Sequence, residues 1–273
     1  MPFGALTADG RARVLADGNQ MPMLGLGVWQ MAAGRETEQA VEWALAAGYR
    51  NIDTASMYRN EQSVGAALRR SGLPREEVFV TTKLMPGRPS ATRELDKSLT
   101  RLGLEYVDLY LIHWPLPLAN ARMWRQLESL QEAGRARMIG VSNFGRDRLA
   151  NLIGSAGSVP AVNQVQFSPY QYRRRLLEYC NRQGIVFEAY SPLARGRGLH
   201  DPTIGAVAAR LERTPAQVML RWAVQHRAVV IPKSSREERI RSNARLFDFE
   251  LTEADMQILD ALDHTNGSAR ARG

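Results

Sequence analysis

Short apolar runs alternate with longer segments of helical period along the chain. The run Leu24-Gly25-Leu26-Gly27-Val28-Trp29 reads as a buried strand. Residues 36–47 then place Ala40, Val41, Ala44 and Leu45 on one face and stop at Gly48, the pattern of a helix ended by glycine. The same unit repeats. A strand-like run over 48–52 ends at Asp53, and a helix over 60–70 stops at Gly72. The run 78–82 is closed by Lys83, and a helix over 88–102, with Leu95, Leu99 and Leu102 on one side, stops at Gly103. The run 107–112 is closed by His113, and a helix over 119–133 stops at Gly134. Strand 136–141 leads into Ser142-Asn143 and a helix over 145–153. Strand 159–165 carries Gln164, and a helix over 173–183 stops at Gly184 before strand 185–189 delivers Tyr190.

The rhythm then loosens. Residues 191–203 are rich in Gly, Pro and Arg and read as a loop. Helices are predicted over 204–211 and 215–225, the second with Pro215 in its first turn. An eighth strand over 228–231 precedes Pro232-Lys233-Ser234 and a helix over 236–246. An extra helix over 252–262 opens with a Thr252-x-x-Asp255 cap. Near the N-terminus, Asp9-Gly10 and Asp17-Gly18 signal hairpin turns. Eight strand–helix alternations without a break in composition argue for one domain over 1–273 and a parallel sheet. A (β/α)8 barrel with an N-terminal hairpin and extra C-terminal helices is favoured; an open doubly wound sheet is the alternative.

At 273 residues the length suits one barrel, typically about 250 residues, or two ordinary domains. The net charge of +8 admits a nucleic acid, a membrane surface or an anionic small molecule as partner. The charge is dispersed, however. Its densest clusters are Arg173-Arg174-Arg175 and the tail with Arg270 and Arg272, and no nucleic-acid motif or basic stripe accompanies them. The lone cysteine, Cys180, excludes an internal disulfide and fits a reducing compartment. The start of the chain does not read as a secretory signal, and no apolar run reaches the roughly 18 residues of a membrane helix. The expectation is a cytoplasmic monomer acting on a small molecule, with no nucleic-acid or membrane partner.

The chemistry lies at the strand ends. Asp53, Lys83 and His113 each stand where a β-rich run finishes, and Tyr58 follows Asp53 by five positions. In a parallel barrel these ends converge on one face, where catalytic groups gather. A tyrosine near pKa 10 is a poor acid at neutral pH. A neighbouring ammonium lowers that pKa, a carboxylate holds the ammonium in place, and an imidazole orients a carbonyl or shares the proton. Such a set suits general-acid protonation of an oxygen as it becomes an alkoxide.

These residues belong to a longer series of motifs: Asp53-Thr54-Ala55-x-x-Tyr58, Thr81-Thr82-Lys83-Leu84, 108–115 ending His113-Trp114-Pro115, 140–144 around Ser142-Asn143, 163–166 around Gln164, Ala189-Tyr190-Ser191-Pro192-Leu193, and Ile231-Pro232-Lys233-Ser234. In this order and spacing the chain resembles the aldo-keto reductases, with an overall look closest to prokaryotic members similar to 2,5-diketo-D-gluconate reductases. The resemblance implies NADPH-dependent reduction of an aldehyde or ketone, with Tyr58 as the acid and Asp53, Lys83 and His113 completing a tetrad. It places Ser142, Asn143 and Gln164 on the nicotinamide carboxamide and Tyr190 against the ring. Ser191 and Leu193 lie along the pyrophosphate. Lys233, Ser234 and Arg239 meet the 2′-phosphate, and Asn243 meets the adenine. Gly27, Val28 and Trp29 are counted with the cofactor contacts too. Trp29, Met57, Met85, His113 and Trp114 are expected around the substrate, although Met85 departs from the tryptophan of many members.

Lys233 and Ser234 just before a helix, with Arg239 in its first turns, also suit an anion on chemical grounds. The Rossmann fingerprint is absent: Gly25-x-Gly27 has no third glycine in register. Four scattered histidines and one cysteine show no metal-ligand spacing, and no Gly-x-Ser-x-Gly elbow is present. The alternative function is a regulatory barrel subunit that binds NADP(H) and acts on a partner protein. Tight NADPH binding without turnover of any carbonyl distinguishes it from the reductase.

Overall fold

The structure is a computed structural model that describes residues 5–15 and 18–265. Asp17 and the tail with Arg270 and Arg272 lie outside the described residues. Strand β1 (Ala12–Val14) pairs antiparallel with β2 (Gln20–Pro22), and a tight turn at Asp9-Gly10 brings Leu6 opposite Arg13. Next come β3 (Leu26–Gly27), β4 (Asn51–Asp53), β5 (Phe79–Leu84) and β6 (Val107–Ile112). They are followed by β7 (Ala136–Ser142), β8 (Val162–Gln166), β9 (Val186–Tyr190) and β10 (Val229–Ile231). These eight strands pair in parallel in chain order.

The ring is closed, which decides between the two sheets the sequence allows. The Gly25 N–H donates to the Val230 carbonyl and the Val230 N–H to the Met23 carbonyl, each at 2.8 Å. The Gly27 N–H reaches the Pro232 carbonyl at 3.2 Å. A Cβ on Gly27 would lie 2.9 Å from the Ile231 carbonyl oxygen, so the seam depends on glycine there. The fold is a (β/α)8 barrel.

The helices lie outside: α1 (Arg35–Ala46), α2 (Glu61–Ser71), α3 (Ala91–Leu102), α4 (Asn120–Glu132), α5 (Arg146–Ser155) and α6 (Arg174–Arg182). Leu95, Leu99 and Leu102 are buried, as their spacing predicts. Helices α2 and α3 approach so closely that a Cβ on Gly65 would lie 2.0 Å from the Leu102 carbonyl oxygen. The final set is α7 (Pro202–Arg210), α8 (Pro215–Gln225), α9 (Glu237–Ala244) and α10 (Glu253–Asp260). Thr252 and Asp255 form the expected capping box, and Thr214 with Gln217 forms another.

Some boundaries differ from the sequence reading. Strand β8 begins at Val162 rather than 159, because Pro160 offers no N–H and Val159 is exposed. Residues 191–203 are not an irregular loop throughout: Ala194–His200 is a 3-10 segment. Asp201 caps α7, accepting from the Thr203 N–H at 2.8 Å, so that helix starts at Pro202. The hairpin covers the strand starts, opposite the strand ends that carry Asp53, Lys83 and His113. Leu15, Met21 and Met23 are buried there, and the Arg13 guanidinium donates to the Arg227 carbonyl at 3.0 Å.

Candidate active site

Asp53 ends β4, Lys83 lies near the end of β5, and His113 follows β6. A 3-10 turn over Ser56–Tyr58 carries Tyr58 back over the barrel mouth. Parallel pairing puts these ends side by side, and the four side chains meet. The Lys83 Nζ donates to Asp53 Oδ1 at 2.6 Å, to the Thr54 carbonyl at 2.9 Å and to Tyr58 Oη at 3.3 Å. The Tyr58 and His113 rings meet edge-on with centroids 5.6 Å apart. Lys83 has no exposed surface.

The electrostatics refine the expectation for Tyr58. Burial raises its pKa, and Asp53 adds to the rise; Lys83 works against both by charge and hydrogen bond. The net direction is upward, not downward. Desolvation outweighs the ammonium because that ammonium is already neutralised by Asp53. Burial would lower the Lys83 pKa, yet Asp53 and Tyr58 bring it above the ordinary value, so the amine is charged. Burial, with a contribution from Lys83, depresses His113 to about 3. Its imidazole is therefore neutral.

A cavity of about 280 Å³ opens over this cluster. Gly27, Trp29, Met57, Trp114 and Ser142 line it with Asn143, Gln164, Tyr190, Ser191 and Lys233, beside Asp53, Tyr58 and His113. Asn143 is poised by its neighbours: its Nδ2 donates to the His113 carbonyl at 3.2 Å, and its Oδ1 accepts from the Tyr190 hydroxyl at 2.8 Å. Asn143 holds φ at 64° and Ser191 at 50°, left-handed conformations that mark a constrained site when tertiary contacts enforce them.

A groove of about 700 Å³ continues from the cavity past Leu193 to Lys233 and Ser234 ahead of α9 and to Arg239 and Asn243 on that helix. Lys233 and Arg239 are exposed, and among the described residues neither is held in an ion pair. Arg195 and Arg236 also line it, with Glu238 as the one carboxylate. Free cations beside a helix N-terminus fit a phosphorylated cofactor.

Two expected contacts do not reach either space. Val28 is buried, with its carbonyl taken by the Asn60 amide at 2.9 Å. Met85 is half-buried between the end of β5 and the turn at Pro86-Gly87 and is not among the residues that line either space. Gln164 is also less free than a cofactor contact implies: its Nε2 donates inward to Asp53 at 2.7 Å and to Glu188 at 2.8 Å.

Glu188 and Arg195 are residues the sequence reading missed. The signal for Glu188 was its place two residues before Tyr190 in a strand, hence on the same face. Burial, then Asp53, raises its pKa to about 8. Arg195 gave no signal in its Gly- and Arg-rich stretch. Its guanidinium stands 5.4 Å from the Trp29 ring centroid, across the junction of cavity and groove. Among the described residues no cluster of three or more His, Cys, Asp or Glu is placed to hold a metal ion. No helix there is long and apolar enough to cross a membrane.

Comparison with known proteins agrees with this geometry. Residues 23–264 match the aldo/keto reductase family model. Glyoxal reductase of Bacillus subtilis is 45% identical over 252 residues, covering 91% of each chain. Morphine 6-dehydrogenase of Pseudomonas putida is 46% identical over 267 residues, covering 91% of this chain and 90% of that one. The crystal structure of an aldo/keto reductase from Brucella melitensis superposes with a TM-score of 0.88 at 42% identity, over 92% of this chain and 99% of that one.

Proposed function

The chain belongs to the aldo/keto reductase family of oxidoreductases, and on that premise we propose that it reduces small aldehydes and ketones to alcohols with NADPH. The observation that carries the proposal is the buried Lys83 ammonium, shared between the Asp53 carboxylate at 2.6 Å and the Tyr58 hydroxyl at 3.3 Å. When bound, the reduced nicotinamide supplies the hydride. Tyr58 supplies the proton. Its raised pKa keeps it protonated at neutral pH, and an incipient alkoxide is basic enough to take that proton as charge develops. Lys83 then faces the phenolate left behind, and Asp53 fixes Lys83. Neutral His113, which lines the cavity, orients the carbonyl by hydrogen bonding instead of competing as an acid.

The chain's own residues also supply the cofactor's seat. Tyr190 and Asn143 form a fixed wall for the nicotinamide, and the Gln164 side-chain oxygen remains to accept from its carboxamide, since the nitrogen is engaged inward. Lys233, Ser234 and Arg239 would hold a 2′-phosphate, which motivates NADPH over NADH. The names of two relatives, a glyoxal reductase and a morphine dehydrogenase, fit carbonyl–alcohol interconversion. The regulatory-subunit reading has no observation in its favour, because a complete proton-delivery set has no role in a pure sensor.

The test follows NADPH absorbance with a nitrobenzaldehyde, methylglyoxal, a phenanthrenequinone and a keto-sugar. NADPH turnover should exceed NADH turnover, and Tyr58→Phe should lower kcat by about 10²–10⁴-fold, the range for a positioned acid. Full turnover by Tyr58→Phe on every compound wild type reduces would remove Tyr58 from the role.

A further inference from the structure

The proposed reduction makes no use of Glu188. It lies on β9 with no exposed surface. One amide nitrogen, Gln164 Nε2, bonds both Glu188 Oε2 and Asp53 Oδ2, so a single side chain joins this carboxyl group to the tetrad. The two acids differ in their other partners. Asp53 has the Lys83 ammonium at 2.6 Å. Among the described residues Glu188 has no ion pair, and its Oε1 makes no well-formed hydrogen bond, the Asn51 side chain being its polar neighbour. The groups that face it are Asn51 and Asp53 on β4, Lys83 on β5 and Gln164 on β8. A buried carboxylate without its own cation holds its proton, whereas the Asp53 carboxylate is ion-paired with the Lys83 ammonium. Asp53 therefore carries the charge and Glu188 the proton.

We propose that Glu188 is a positioning residue for the reduction: neutral, it leaves the tetrad free to deliver the Tyr58 proton, and its ionisation, linked through Gln164, shuts that delivery off. The inference rests on the reductase reading above. While Glu188 is neutral, the enclosed charges of Lys83 and Asp53 cancel. A phenolate forming at Tyr58 then adds one negative charge beside an ammonium that can stabilise it. Ionised Glu188 places a second uncompensated negative charge in the same water-poor interior, where charges interact strongly. The phenolate is then disfavoured and the proton stays on Tyr58. The raised Glu188 pKa, due first to burial, sets the change in the mildly alkaline range. No atom is transferred between the acids: Glu188 loses its proton to solvent, and Gln164 keeps both hydrogen bonds.

The experiment compares wild type with Glu188→Gln, which preserves an acceptor for Gln164 and removes the titration. Two readouts run together: kcat/KM against pH with NADPH and a nitrobenzaldehyde, and tyrosinate absorbance at about 295 nm, taken as the difference from Tyr58→Phe in each background. The proposal expects wild-type kcat/KM to fall above about pH 8 and the limb to be missing or moved upward in Glu188→Gln. It also expects Tyr58 to ionise at lower pH in Glu188→Gln, by at least about half a unit, or threefold in the equilibrium constant. Superimposable profiles and equal tyrosinate midpoints would overturn it. If Glu188→Gln does not fold, Glu188→Asp keeps a titratable group at a changed distance. The limb and midpoint should then move together, and an unmoved pair would again overturn the proposal. A tyrosinate shift without turnover of any carbonyl supports the coupling and refutes the reductase reading. Turnover with no shift does the reverse.

Discussion

Replacing Lys83 with methionine keeps the length of the side chain and removes the ammonium. The structure sets the cost. Lys83 is fully enclosed, and its Nζ bonds Asp53, Thr54 and Tyr58. In Lys83→Met, Asp53 is left buried with only the Gln164 N–H, and an orphaned partner of a buried pair costs about 3–5 kcal/mol. Protonation limits that loss. Holding Asp53 neutral at pH 7 against an unfolded value of about 3.9 costs roughly 3.1 × 1.36, or about 4 kcal/mol; at pH 5 it costs only about 1.5 kcal/mol. An acid whose folded pKa is raised leaves stability intact below the unfolded value and lowers it as pH climbs toward the folded one. In wild type the Lys83 pKa is itself raised. Its contribution is therefore present through the acid and neutral range and lost only as pH passes that folded value, so wild-type Lys83 adds no slope between pH 5 and 7. Urea unfolding followed by circular dichroism at both pH values measures the difference. Asp53→Asn combined with Lys83→Met removes the orphaned charge and should be more stable at pH 7 than Lys83→Met alone. A loss below about 1 kcal/mol at pH 7, equal losses at the two pH values, or a double variant no more stable than the single would refute the buried ion pair as described.

Other perturbations test separate parts of the structure. Arg239→Ala should weaken NADPH binding by roughly 10- to 100-fold, the worth of a hydrogen bond to a charged group, and leave NADH binding nearly unchanged; fluorescence titration with both cofactors reads this. With His113 depressed to about 3, the pH profile of kcat/KM should show no step between pH 5 and 7. A clear inflection near 6.5 that disappears in His113→Asn would contradict the neutral imidazole. Gly65→Ala drives a methyl into the Leu102 carbonyl and should lower stability by about 1–3 kcal/mol or more, measured as a shift in the urea midpoint without loss of specific activity in the folded fraction.

Much of this was legible in the chain because the signals are local. Hydrophobic period, glycine stops and side-chain caps act over a few residues, so the eight strand–helix units, the Thr252 cap and the hairpin turn at Asp9-Gly10 follow from neighbours in sequence. The strand-end positions of Asp53, Lys83 and His113 follow in the same way. Parallel pairing then obliges them to meet. The cations at 233–239 were readable as a candidate anion site from their place at the start of a helix.

Contacts between distant segments were not legible. Whether the sheet closes depends on hydrogen bonds between Gly25 and Val230, which no local pattern encodes. Which strand-end side chains line the cavity, as Met57 does and Met85 does not, is likewise set by the assembled mouth. Arg195, in the 3-10 segment after β9, meets Trp29, 166 positions earlier in the chain, only in the assembled barrel. The upward shift of Tyr58 also required the assembled interior, since burial and the Lys83–Asp53 pair are properties of packing. The sequence by itself determined which chemical groups this protein owns and which strand ends present them. The tertiary structure alone decided which of those groups share a proton, a charge or a cavity, as when Gln164 bridges Asp53, 111 positions away, to Glu188. The reason is physical: desolvation and Coulombic coupling depend on distance and burial in space, and neither is a function of position along the chain.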